Sequence, residues 1–193
     1  MITHLSGKLV EKNPTFVVVE CNGVGYFLNI SLHTFSQLPA DEKIKIYTHL
    51  QVKEDSHTLF GFMEKAEREI FRLLISVSGI GASIARTMLS SLNPAQVRDA
   101  IAGGEVATIQ AIKGIGAKTA QRVIVELKDK ILKVYDTDEV SLPTNNTTKE
   151  EALSALEVLG FTRRQSEKVV DRVLSQDSSL SVENIIKQAL KNL

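Results

Sequence analysis

One short segment occurs twice in this chain. Gly79-Ile80-Gly81-Ala82 returns 35 positions later as Gly114-Ile115-Gly116-Ala117. At the same offset Ala85 falls on Ala120, and Met88 and Leu89 fall on Val123 and Ile124. The repeat therefore runs from a glycine hairpin into the helix that follows it. In each copy the first glycine suits a positive φ that ends one helix, and the second lets a bulky partner come close to the backbone. The next helix opens with unpaired amides and the positive end of its dipole facing outward, which suits a phosphate. A single copy reads equally well as an ordinary glycine-capped helix turn, but two copies at a fixed offset argue against that. The pattern predicts a sequence-blind grip on a nucleic-acid backbone.

Gly116-Ala117-Lys118-Thr119 also resembles the end of a nucleotide-binding P-loop. A P-loop needs glycine directly before Lys-Ser/Thr, and here Ala117 intervenes. No ATPase motif, and so no hydrolytic motor, is expected in this chain. Charge points the same way as the repeat. Residues 1–62 hold 5 Lys+Arg against 6 Asp+Glu, residues 63–133 hold 11 against 7, and residues 134–193 hold 7 against 10. The basic segment is the one with both hairpins, where phosphate contacts need counter-charge. The acidic C-terminal part fits a protein partner better than DNA.

With Cys21 as the one cysteine, neither an internal disulfide nor a thiolate-rich metal site can form. No metal, cofactor or catalytic residue is expected. The sequence has no membrane-length apolar run, and Met1 to Leu5 does not read as a signal peptide. A cytoplasmic location is the expectation.

The chain reads as an α+β multidomain protein. Over 1–63 the period is that of strands. Phe16 to Cys21 is apolar and β-branched, Asn22-Gly23 signals a type I′ turn, and Val24 to Ile30 returns. Further strands are expected at 2–11, 44–52 and 58–62, with a short helix near 33–38. Five short strands predict a small closed barrel of the OB type. Phe16, Tyr26, Phe27, Phe60 and Phe62 are expected in its core more than as stacking platforms. Over 64–133 the period is helical: Ile70, Phe71, Leu73, Leu74 and Val77 form a stripe, Asn93-Pro94 starts a helix and Gly103-Gly104 ends it. Helices at about 105–112 and 117–133 complete an expected five-helix domain. Residues 134–148 read as a flexible linker. Over 149–193, Thr148 with Glu151 reads as a capping box, Gly160 closes a helix, Thr162 with Gln165 caps the next and Ser181 a third. That is a three-helix bundle.

This order of parts resembles the RuvA family of bacterial Holliday-junction-binding proteins. The resemblance spans the whole chain. It is carried by Gly23-Val24-Gly25-Tyr26, Thr48-His49, Val52-Lys53-Glu54-Asp55, Leu59-Phe60-Gly61-Phe62, and Gly114 to Ala120 continuing to Glu126-Leu127-Lys128-Asp129-Lys130. It implies a UBA-like fold for the C-terminal bundle. It also implies a homotetramer, with an octamer as the alternative, on whose concave face a four-way junction lies open and square. The implied partners are the hexameric ATPase motor RuvB and the junction resolvase RuvC, acting in recombination and repair.

Carried onto this sequence, Gly79, Gly81, Gly114, Gly116, Lys118 and Thr119 become backbone-gripping positions. Arg122, one turn after Lys118, is added from helical spacing. Ser83 stands where the family commonly has Lys, which leaves one counter-charge missing, with Arg86 or Arg72 as the compensating charge. Glu54 and Asp55 match an acidic pin near the junction centre, where carboxylates repel converging phosphates. Without the resemblance they read as solvated turn residues. Leu156, Leu159 and Phe161 are expected to share a motor-binding surface.

Two other functional classes share parts of this pattern. Lys118 and Asp136 have the spacing of a helix-hairpin-helix DNA glycosylase. A general single-strand DNA-binding module would account for the barrel but leave the duplicated hairpins without a role.

Overall fold

The computed structural model describes residues 1–134, 146–177 and 180–193. Most of the linker expected over 134–148 therefore lies outside the described residues, as does Asp136. Two compact units emerge, one N-terminal and one C-terminal.

The first unit begins with β1 (His4–Asn13), β2 (Phe16–Cys21), β3 (Val24–Asn29), the short helix α1 (Leu32–Ser36), β4 (Lys43–Val52) and β5 (His57–Phe62). These close into a barrel in the order β1-β2-β3-β5-β4, sealed by the antiparallel pairing of β1 with β4. The sheet so has no open edge. The β2–β3 turn is the expected type I′, with Asn22 at φ 52° and Gly23 at φ 82°. Leu5, Val17, Val19, Leu28, Ile30, Ile44 and Ile46 fill the interior.

The aromatics depart from expectation. Phe60 and Phe62 are buried, yet they pack with Phe71 at ring separations of 5.0 Å, in the core of the helices that follow. Phe27 is 52% exposed and stacks on Phe16 at 4.7 Å on the barrel surface. Tyr26 alone of the five packs against the barrel core, half-buried. So small a barrel has no room for five rings, and alternation along β3 and β5 sends some of them outward.

Five helices follow: α2 (Lys65–Ser76), α3 (Ala82–Ser91), α4 (Pro94–Gly103), α5 (Val106–Gln110) and α6 (Ala117–Ile131), with a 3-10 turn at Leu132–Val134. Asn93 caps α4 with a full capping box to Gln96, Pro94 sits in its first turn, and Gly104 ends it at φ 73°. The core runs through Ile70, Phe71, Leu74, Met88, Leu89, Ile101, Val123 and Leu127. Phe60 and Phe62 extend it under the barrel, so β5 and α2 share one apolar seam.

A buried polar junction reinforces that seam. The hydroxyls of Ser31 and Thr34 donate to the two oxygens of the fully buried Glu67 carboxylate, at 2.5 and 2.6 Å. Burial holds the Glu67 carboxyl above the usual carboxylate range, opposed by those two hydroxyls.

The second unit holds α7 (Asn146–Val158), α8 (Arg163–Gln176) and α9 (Val182–Leu190) around Leu153, Leu156, Val170 and Ile185. Helix α7 starts at Asn146, so Thr148 lies inside it and is not its cap. Gly160, at φ 99°, closes α7, and the Phe161 amide donates back to the Leu156 carbonyl at 3.1 Å. Thr162 and Ser181 are the N-cap residues of α8 and α9, but neither side chain bonds a helix amide. The Thr162 hydroxyl donates to Gln165 Oε1 instead, at 2.7 Å.

Candidate nucleic-acid interface

The two hairpins are near copies. In the first, α2 is followed by its C-cap Val77, Gly79 turns the chain at φ 97°, buried Ile80 anchors the loop and Gly81 precedes α3. In the second, α5 gives way to Gly114 at φ 95°, buried Ile115 and Gly116 before α6. The Ile80 amide donates to Val77 O at 3.0 Å and the Ile115 amide to Ile112 O at 3.2 Å, closing the same turn. Each apolar anchor pins its loop to the core while the glycines stay at the surface.

The hairpins are also packed reciprocally. A Cβ on Gly79 would meet Thr119 at 3.5 Å, and one on Gly114 would meet Ile84 at 3.8 Å. Ile84 and Thr119 are equivalent at the 35-residue offset, so the copies face each other about a local two-fold. Thr119 thus turns its side chain toward the other hairpin.

Among helices whose N-caps are described, only α3 and α6 begin from glycine. Gly81 and Gly116 adopt φ −84° and −85°, with open space where a Cβ would stand. Neither helix has a side-chain cap or an acidic residue in its first turn. A helix N-terminus with free amides, no carboxylate and no side chain in the way is built for an anion. The contrast with self-capped α4 is direct.

Ser83 and Lys118 are exposed in the first turns of α3 and α6. The two arginines are engaged within the protein. Arg86 Nη1 donates to Thr15 O at 3.2 Å and to Asn29 Oδ1 at 2.9 Å. Arg122 Nη1 donates to Ser78 O at 3.2 Å, and its Nε lies 3.9 Å from Glu126. Arg72 pairs with Glu69 at 2.9 Å. Helical spacing signals the Arg72–Glu69 and Arg122–Glu126 pairs, which share a helix face, but not the contacts of Arg86 with Thr15 and Asn29 or of Arg122 with Ser78, whose partners belong to other elements. Lys113, exposed beside Gly114, is a positive charge at the second hairpin that the sequence reading passed over. Its place next to the repeated glycine was the signal.

Glu54 and Asp55 are exposed in the β4–β5 turn, which closes through Lys53 N to Ser56 O at 2.8 Å. Asp55 accepts from the Ser56 hydroxyl at 3.2 Å. In the second unit the expected trio separates. Leu156 is fully buried and fills the bundle core, and Phe161 is half-buried against it. Leu159 is 58% exposed, and with Val158 and Ile186 it lines an open apolar groove. Leu156 of α7 faces inward, whereas Val158 at the end of α7 and Leu159 just past it lie beyond the core-facing stripe.

A barrel fused to paired helix-hairpin-helix elements with open helix N-termini defines a protein that binds the DNA backbone. Comparison narrows the class. Residues 1–61 match the family model described as RuvA N terminal domain, 71–129 the SAM-like Helix-hairpin-helix tandem, and 148–193 the RuvA, C-terminal domain. The chain is 67% identical over 193 residues, all of both chains, to a Christiangramia forsetii protein named Holliday junction branch migration complex subunit RuvA. It is 64% identical over 193 residues to the protein of that name from Flavobacterium psychrophilum, and 43% over 201 residues to that from Bacteroides fragilis, again covering all of each chain. The chain belongs to the RuvA family. Among the described residues, no helix is long and apolar enough to cross a membrane.

Proposed function

We propose that this chain binds four-way (Holliday) DNA junctions and acts as the DNA-binding subunit of a branch migration complex. The observation that carries this reading is the pair of glycine-led helix N-termini repeated at a fixed offset, in a chain alike over its full length to proteins named as such subunits. The backbone amides at Gly81 and Gly116, with Lys118, take phosphates without regard to base sequence. Glu54 and Asp55, exposed on the β4–β5 turn, act as the acidic pin that repels converging strands. A homotetramer holds the junction open and square, the chain itself performs no catalysis, and it works in the cytoplasm. The decisive experiment is a gel shift comparing a four-way junction with linear duplex of equal length. Clear preference for the junction is expected, and equal affinity overturns the reading.

The C-terminal unit recruits the RuvB motor through the exposed apolar groove, so Leu159, Val158 and Ile186 replace Leu156 as the contact residues. Leu159→Asp should abolish motor stimulation while junction binding and helical circular dichroism persist. Full stimulation by that variant moves the partner surface elsewhere.

A further inference from the structure

The first hairpin is fastened to the barrel by side chains of α3 one turn apart. Arg86 reaches across to Thr15 O, in the β1–β2 turn, and to Asn29 Oδ1 at the end of β3. Ser90 Oγ accepts from the Leu32 amide of α1 at 3.1 Å and donates to the Arg86 carbonyl at 2.8 Å. Asn29 in turn donates through Nδ2 to Leu59 O of β5, at 3.5 Å. Strand β5 is the one that leaves the Glu54-Asp55 turn. A continuous set of polar contacts thus runs from the helix of the first hairpin to the strand that holds the acidic turn.

We infer that Arg86 is a positioning residue: it fixes the first hairpin relative to the acidic turn and so sets the preference for a four-way junction over linear duplex, without touching a phosphate. The inference rests on the junction-binding reading above. A linear duplex needs only the hairpins, whereas a junction must meet the hairpins and the acidic turn together, so a loosened brace harms the junction complex more. Two donor bonds from a half-buried guanidinium, to a carbonyl and to an amide held by its own second contact, give that brace a defined geometry.

The test measures junction and duplex affinities of the full chain over a salt series, for Arg86→Ala, Arg86→Lys, Asn29→Ala and Lys118→Ala. Arg86→Ala should lower the junction-to-duplex affinity ratio by about tenfold, the scale of a lost charged hydrogen bond, and leave the slope of log K against log salt unchanged. Asn29→Ala, which removes no charge, should reproduce the loss of ratio. Arg86→Lys should restore part of it, and the Arg86→Ala, Asn29→Ala double variant should be no worse than the worse single one. A slope that falls by about one unit with Arg86→Ala makes it a phosphate contact and overturns the inference. So does an unchanged ratio in both Arg86→Ala and Asn29→Ala, which is what a merely structural role gives even when the melting temperature drops. Lys118→Ala separates the two levels. If it too leaves the salt slope unchanged, the phosphate-grip reading has failed, and this inference with it.

Discussion

The first and second hairpins repeat one backbone with two different charge patterns. Gly79 and Gly114 differ by 2° in φ, from 97° to 95°, and Gly81 and Gly116 by 1°. At the flanking positions, however, Ser78 and Ser83 of the first stand where Lys113 and Lys118 stand in the second. All four are exposed. Helix amides and dipole are therefore common to both sites, while the point charges belong to one. The first hairpin carries a compensating structural tie instead, through Arg86 to the barrel. On the proposed reading, phosphate binding separates into a geometric part, from the backbone, and an electrostatic part, from the lysines. The two hairpins hold these parts in different proportions.

The largest effect should come from erasing the difference downward. Lys113→Ser with Lys118→Ser turns the second hairpin into a copy of the first, and should cost about a hundredfold in affinity and about two units of salt slope, equally for every DNA sequence. A slope unchanged in fluorescence-anisotropy titrations would mean that neither lysine meets a phosphate.

Erasing it upward should do less. Ser78→Lys with Ser83→Lys should raise affinity by about tenfold and steepen the slope by one to about two units, because long new side chains lose rotamer freedom when they bind. An unaltered slope would show that the first hairpin lies away from the phosphates.

The glycines offer a test of the shared backbone. Gly79→Ala or Gly114→Ala places a Cβ at positive φ and should cost about 1 kcal/mol of stability by thermal melting. Gly81→Ala or Gly116→Ala has room and ordinary φ, so stability should change by no more than about 0.5 kcal/mol, while the methyl stands where a phosphate must come and weakens binding about fivefold. The same loss at both sites would confirm equal geometric roles, and loss at one alone would break the symmetry.

The smallest effect concerns the anchoring of α2, the helix that leads into the first hairpin. Burial raises the Glu67 carboxyl above its unfolded value, with Ser31, Thr34, His33 and Glu64 around it. A group raised on folding contributes stability fully present below the unfolded value and lost as pH rises through the folded one. Melting temperature should therefore decline modestly as pH rises from the ordinary Glu range upward, and Glu67→Gln should flatten that decline. Parallel pH profiles for the two proteins would discount Glu67.

Much of this was legible before any coordinates. Strand alternation, the Asn22-Gly23 turn, the Asn93 capping box and the repeated glycines are local signals, so the barrel strands, the five helices and both hairpins fall where the sequence reading put them. The cap at Thr148 failed because α7 extends back to Asn146. The partner trio failed in part because an apolar residue on a short helix reads the same whether it faces in, like Leu156, or out, like Leu159. Arg86 and Arg122 stand near the hairpins in sequence, but position in sequence does not reveal the partners, Asn29 and Ser78, that the fold brings to them.

The amino-acid sequence by itself determined the element order, the duplicated hairpin and the charge asymmetry between its copies, since each depends on residues within a few positions of one another. Only the tertiary structure decided which side chains are committed internally. Ser31 meets Glu67 across 36 positions, Arg122 meets Ser78 across 44, and Arg86 meets Asn29 and Thr15 across 57 and 71. No local periodicity encodes such separations. The Ser31 and Arg86 contacts exist because packing the barrel on the helices, with Phe60, Phe62 and Phe71 in one seam, brings distant backbone together, and Arg122 reaches Ser78 because the two hairpins pack on each other.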